Sequence, residues 1–283
     1  MLGYLSWIGD QEKRGAIMND FALTAIGISI IFAATTLGSA VVFLFAKRNI
    51  SPIWNQIFTG FAAGVMLSAS VFGLLGPTLN YEVSYMPVYL VAGLGVILGA
   101  LFLWGIDRLL PHIHPENQTE EGLPVAMSRT KKMFLAVTIH NVPEGLSVGV
   151  VFAVALASGG LSSAPGMMMS ALMLSIGIAI QNIPEGALVA LPVKGETGSS
   201  VKGFLFGMGS GAVEPIAALL GLLLSFAIAE VMPWALSFAA GCMLYVIAEE
   251  MIPEFKSEPH SHYGVWSFIL GFVVMMCLDV ALG

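Results

Sequence analysis

Two six-residue phrases carry the chemistry of this chain. They are His140-Asn141-Val142-Pro143-Glu144-Gly145 and Gln181-Asn182-Ile183-Pro184-Glu185-Gly186, each inside a long apolar run. An imidazole, amides and a carboxylate are costly in hydrocarbon, so an ionisable group at that depth is a functional hypothesis by default. On a helix, His140 and Glu144 share a face at i and i+4, as do Gln181 and Glu185, while Asn141 and Asn182 project to an adjacent side. Two such sets in consecutive spans imply one shared polar site suited to a cation. Further acids fall within apolar segments at Glu214, Glu249, Glu250 and Asp279, with no Lys or Arg at comparable depth. A buried carboxylate without a cationic partner must take a proton or coordinate a metal. Glu249, Glu250 and Asp279 stand nearer span ends, where water competes for them.

The donor types narrow the ion. An all-oxygen set would suit magnesium or calcium, whereas an imidazole beside carboxylates favours a borderline transition metal such as Zn²⁺ or Fe²⁺. Met66, in the run Gly60-Phe61-Ala62-Ala63-Gly64-Val65-Met66, is the thioether candidate. Spacing alone argues weakly for it, since methionine commonly fills apolar gaps. Pro143 and Pro184 cannot donate to the carbonyls of Ile139 and Ile180, so both helices are expected to bend at the motif. Gly145 and Gly186 permit close approach of a neighbouring backbone.

The elements that must position these groups follow from composition. With 57% hydrophobic and 10% charged residues and a mean hydropathy of +0.87, the chain reads as an all-α polytopic membrane protein. Eight transmembrane helices are expected at roughly 21–46, 57–79, 86–107, 131–156, 167–193, 202–229, 233–253 and 264–282. Residues 1–20 read as an N-terminal interfacial segment. Residues 21–283 form a single transporter-sized membrane domain with a loop at about 109–130. Cys242 and Cys277 both fall inside spans and read as small buried hydrophobes.

Nine of the eleven basic residues gather on one side: Lys47, Arg48, Arg108, Arg129, Lys131, Lys132, Lys194, Lys202 and Lys256. Only Lys13 and Arg14 oppose them. The positive-inside rule puts those loops in the cytoplasm and both termini outside it. Four of the five histidines form His112-Ile113-His114 and His260-Ser261-His262, on the same side. Two His-x-His pairs there could receive or sense a metal. With Asp107, Glu249, Glu250 and Asp279 they complete a set of candidate pathway residues.

Taken together, the paired motifs, the GFAAGVMLSAS run, Gly211-Ala212-Val213-Glu214-Pro215, Glu249-Glu250-Met251-Ile252-Pro253-Glu254 and the ending Leu278-Asp279-Val280-Ala281-Leu282-Gly283 resemble the ZIP (Zrt-, Irt-like protein) metal transporters, in their bacterial GufA-like branch. The resemblance covers essentially all eight spans. It implies a 3+2+3 inverted-repeat bundle and a homodimer in an inner membrane. Transport would follow alternating access with an elevator-like motion, the cargo being Zn²⁺ or else Cd²⁺, Fe²⁺ or Mn²⁺. It further implies a binuclear site: one metal on Met66, His140, Glu144, Gln181 and Glu185, a second on Asn141, Glu144, Asn182, Glu185 and Glu214. Relatives often carry Asp where this chain has Asn182, so the second position has one charge fewer here.

Two rival classes are weaker on the residues. An intramembrane zinc protease needs His-Glu-x-x-His or a paired catalytic Asp, and neither occurs. A proton-coupled carrier of an organic solute accounts for the acids but not for His140 with the amides. No feature points to nucleic acid.

Overall fold

The computed structural model describes residues 2–44, 51–109, 112–113, 120–121, 128–227, 229–257 and 261–282. Among the described residues, eight helices are long and apolar enough to cross a membrane: span one Asn19–Phe43, span two Pro52–Leu79, span three Val88–Leu109, span four Thr130–Ala157, span five Pro165–Thr197, span six Ser200–Ser225, span seven Met232–Phe255 and span eight Tyr263–Ala281. Span one is the apolar part of a helix that begins at Leu2 and closes in a 3-10 turn, Val41–Phe43. Most ends lie within a few residues of the sequence expectation. Span two starts earlier because Ser51 caps it, its hydroxyl accepting the Trp54 N–H at 3.5 Å, with Pro52 pre-set for a helix start. Asn55 and Gln56, which break the apolar pattern, therefore lie inside the helix. In the loop before span four, His112–Ile113 pairs antiparallel with Glu120–Glu121.

Spans four and five lie side by side at the centre. Span one packs along span five and span six along span four; span two rests on five, span seven on four, span eight on two and span three on seven. Exchanging one with six, two with seven, three with eight and four with five maps this set of neighbours onto itself. Each exchange pairs an odd span with an even one, so the two halves run in opposite directions. The local chain repeats as well. Span two carries a π-helical stretch, Ala69–Leu75, followed by the short helix Gly76–Leu79, and span seven carries Ile247–Met251 followed by Ile252–Phe255. A proline, Pro77 or Pro253, stands second in each short helix.

Small residues set the spacing at the centre. A Cβ on Gly145 would sit 2.2 Å from the Glu214 carbonyl oxygen, and one on Gly186 would sit 2.1 Å from that of Thr35. The two motif glycines thus seat spans four and five against spans six and one in the same way. Hydroxyls inside the spans are mostly spent on their own helices: Thr24, Ser70, Thr78 and Thr138 each donate to the carbonyl four residues back.

Pro143 and Pro184 do not interrupt their helices, which run continuously from Arg129 to Ala157 and from Pro165 to Thr197. One missing backbone bond is bridged by the rest of the ladder. The irregular backbone lies in the partner spans instead, in the two π-helical stretches and at Ala212 in span six. Cys242 is buried and its Sγ donates to the Gly99 carbonyl at 3.3 Å. Cys277 departs from expectation: it is exposed, on an outward strip of span eight shared with Val273 and Val280.

Gly186→Ala is expected to lower the stability of the detergent-solubilised protein by about 1–3 kcal/mol, because the methyl group must push a backbone carbonyl aside. Size-exclusion profiles after graded heating would show a midpoint several degrees below the parent. An unchanged midpoint would show that the contact with Thr35 yields freely.

Candidate functional site

Glu144 is the hub. It is fully buried in the middle of span four, its Oε1 accepts the Gln181 Nε2–H at 2.5 Å, and its Oε2 has no hydrogen-bond partner. The carboxylates of Glu185 and Glu214 lie close enough to act on it electrostatically. Three acids that act on one another, with His140 the basic group felt by Glu185, are an arrangement that a divalent cation would relieve.

Glu214 reaches this centre through the break in span six. The helix Ser200–Gly211 stops, Ala212 turns, and a new helix, Val213–Ala227, begins with Glu214 in its first turn. Pro215 cannot donate to the Gly211 carbonyl, which accounts for the break. A carboxylate in a first turn also faces the positive end of the helix dipole. Thr35 of span one donates its hydroxyl to Glu214 Oε1 at 2.6 Å. Asn141 secures the other side of the break, its Nδ2 donating to the Ser210 carbonyl at 2.9 Å while its Oδ1 stays unpartnered.

Asn182 lies fully buried within hydrogen-bonding reach of both Glu144 and Glu214, its amide held by those carboxylates only loosely. A buried primary amide whose bonds to neighbouring acids are poorly formed is a costly feature and suits a ligand that would order it. Asn141, Glu144, Asn182 and Glu214 form one inner group.

His140 looks the other way, with its Nε2 in an ion pair with Glu250 on the π-helical stretch of span seven. His140, Gln181, Glu185 and Glu250 line a cavity of about 170 Å³, together with Asn55, Thr59 and Glu254. The cavity also touches Met133 and Pro192, near the ends of spans four and five where Lys131, Lys132 and Lys194 lie, so it opens at the basic end. Gln181 and Glu185 connect the cavity to the inner group. A second cavity, of about 330 Å³, lies at the opposite end against Asn80, Tyr81, Ser158 and Asp279.

Met66 is not brought to the cavity wall. It lies in the apolar core, fully buried, one turn beyond Ala62, which does line the cavity. Among the described residues, no three His, Cys, Asp or Glu side chains are close enough together to form a ready metal cage. The contacts explain this: His140 is engaged by Glu250 and Glu144 by Gln181, so donors that would meet on an ion meet each other instead.

The pathway candidates divide. Asp107 is buried and hydrogen-bonds Tyr245, while Glu249 is exposed beside the buried Glu250. Asp279 belongs to the far cavity. His112 sits in the short ladder opposite Glu121 and His262 just precedes span eight, whereas His114 and His260 lie outside the described residues. The sequence reading missed Thr35, Asn55, Thr59, Ser210 and Tyr245. Thr35 had a signal, being one of several small polar residues in Thr35-Thr36-Leu37-Gly38-Ser39 within a span.

An inverted eight-helix bundle that buries carboxylates and amides at its centre defines a membrane carrier class. The family model described as ZIP Zinc transporter matches residues 129–279, and the chain belongs to that family, one of transporters and not of enzymes. It is similar to the protein named Zinc transporter ZIP11 of Xenopus tropicalis, at 32% identity over 91% of this chain and 96% of that one. Zinc transporter ZIPB of Bordetella bronchiseptica is 34% identical over 89% of this chain and 79% of its own length. Zinc transporter GufA of Myxococcus xanthus is 39% identical over 67% and 70%.

Proposed function

We propose that this chain carries zinc across its membrane through the buried centre, with Glu144 shared between two metal positions. The observation that carries the reading is Glu144 itself: fully buried, facing two further carboxylates, with one oxygen free. One position draws on His140, Glu144, Gln181 and Glu185, and the other on Asn141, Glu144, Asn182, Glu185 and Glu214. Met66 joins the first only if span two shifts along its axis. A neutral imidazole beside carboxylate and amide oxygens suits Zn²⁺, with Cd²⁺, Fe²⁺ and Mn²⁺ as competitors.

Transport asks the donors to exchange partners. An arriving ion would replace the Gln181 contact on Glu144 and the Glu250 contact on His140, and the open cavity would then give it a route to the basic end. The positive-inside rule makes that end cytoplasmic, and import is the direction taken from the family resemblance. Alternating access would close this cavity and join the centre to the far one, by rigid movement of one set of helices against the other, in a homodimer. Uptake of zinc, cadmium, iron and manganese by proteoliposomes tests the reading, and vesicles that accumulate none of these ions would refute it.

Sidedness has its own test. With Cys242 and Cys277 replaced, Ser162→Cys, after span four, should label from outside intact cells, and Glu196→Cys, at the end of span five, only after permeabilisation. Both positions are exposed. Labelling of both from one side would overturn the orientation.

A further inference from the structure

The cavity at the basic end contains a second group of oxygens that the buried centre does not use. Thr59 is 5% exposed and lines this cavity, yet its hydroxyl has no partner, although Thr24, Thr78 and Thr138 all return theirs to their own helices. Asn55 lies one helical turn before it on the same face of span two. Its Nδ2 donates to Glu254 Oε1 at 2.8 Å, which turns the amide so that Oδ1 is buried and also without a partner. Glu254, at the end of span seven, completes the group and lies near enough to Glu185 to act on it electrostatically. Gln56 fixes the mouth, donating to the Ser257 carbonyl at 2.5 Å and accepting from Ser261.

We propose that Asn55 Oδ1, Thr59 Oγ1 and the Glu254 carboxylate form a separate cation station at the mouth of this cavity, taking a divalent ion that keeps part of its water shell. An amide oxygen, a hydroxyl and one carboxylate are hard, weakly charged donors, so the station binds loosely and favours Mn²⁺ or hydrated Zn²⁺ over soft ions. Glu250 stands between it and His140 on the same cavity wall, so an ion leaving the centre meets oxygen ligands before bulk water. The idle threonine hydroxyl is the decisive group. Thr36, Ser68 and Ser225 also leave buried hydroxyls without a partner, but of these four only Thr59 lines the cavity.

This station rests on the proposed transport path but is tested apart from it. In Glu144→Gln protein, which disables the centre, loss of the free Mn²⁺ paramagnetic signal should report one weak equivalent per chain. Adding Thr59→Val or Glu254→Gln should weaken that equivalent by at least about 10-fold, the scale of a lost ligand contact. Glu254→Gln keeps an oxygen for the Asn55 bond, so a merely structural clasp predicts no loss. Asn55→Cys should weaken Mn²⁺ and tighten Cd²⁺ at the same position by a similar factor, as a thiolate replaces an amide oxygen. Mn²⁺ titrations unchanged by Thr59→Val and Glu254→Gln, or Cd²⁺ affinity unchanged by Asn55→Cys, would overturn the proposal. If the parent moves no ion in vesicles, the transport reading fails instead, whatever these titrations show.

Discussion

Glu144→Gln should reduce zinc uptake at least about 100-fold while leaving the protein folded. A unit charge about 4 Å away at an effective dielectric near 20 contributes about 4 kcal/mol, and each 1.4 kcal/mol is a tenfold change in binding. The substitution keeps an oxygen to accept from Gln181 Nε2 and keeps the volume of a fully buried side chain, so the bundle loses no packing. It removes one of the two carboxylates, Glu144 and Glu185, that both proposed metal positions share. Glu214→Gln should cost much less, because Glu214 serves one position and is held by Thr35. Uptake by the two variants in matched proteoliposomes, with size-exclusion profiles as the folding control, checks the order. Equal residual transport by both would remove Glu144 from the hub position and with it the shared-carboxylate reading.

How much of this was legible beforehand differs by residue. The eight spans and the motif faces follow from hydrophobic length and helical spacing, which are local properties, whereas Glu214 joins Glu144 and Glu185 only through the family resemblance. Contacts between spans are not. Nothing in the sequence fixes the partner of His140, and the structure gives it Glu250 on an adjacent span. Met66 is a thioether candidate on weak spacing grounds, and its helix face turns into the apolar core in this conformation. The motif prolines are expected to bend their helices, which run unbroken through them, while irregular backbone lies in spans two, six and seven, where none is expected from the sequence. The π-helical stretches have no residue signature of their own, because an extra residue per turn is a matter of register and not of type. Asn55 and Thr59 escaped notice because polar residues near a span end read as solvated.

Asn182→Asp should raise occupancy of the second metal position and slow turnover at saturating zinc. Asn182 lies buried between Glu144 and Glu214 with its amide only loosely held, so the variant adds a fourth carboxylate to Glu144, Glu185 and Glu214. Without metal that charge has no counter-ion, and like charges in low dielectric repel. The metal-free variant should therefore unfold at a lower temperature than the parent. With a divalent ion present the sign reverses, since each added charge at roughly 4 Å contributes several kcal/mol even at a dielectric near 20. Binding that stabilises the folded state by mass action then makes the zinc-induced rise in midpoint larger in the variant than in the parent. A carrier must also release what it binds, and a deeper well at the second position lengthens each cycle. Anomalous scattering in matched zinc would compare occupancies, and uptake at saturating zinc would compare turnover. Equal second-position density in parent and variant, with equal turnover, would show that the amide oxygen already suffices as a ligand and that the charge at this position does not set the rate.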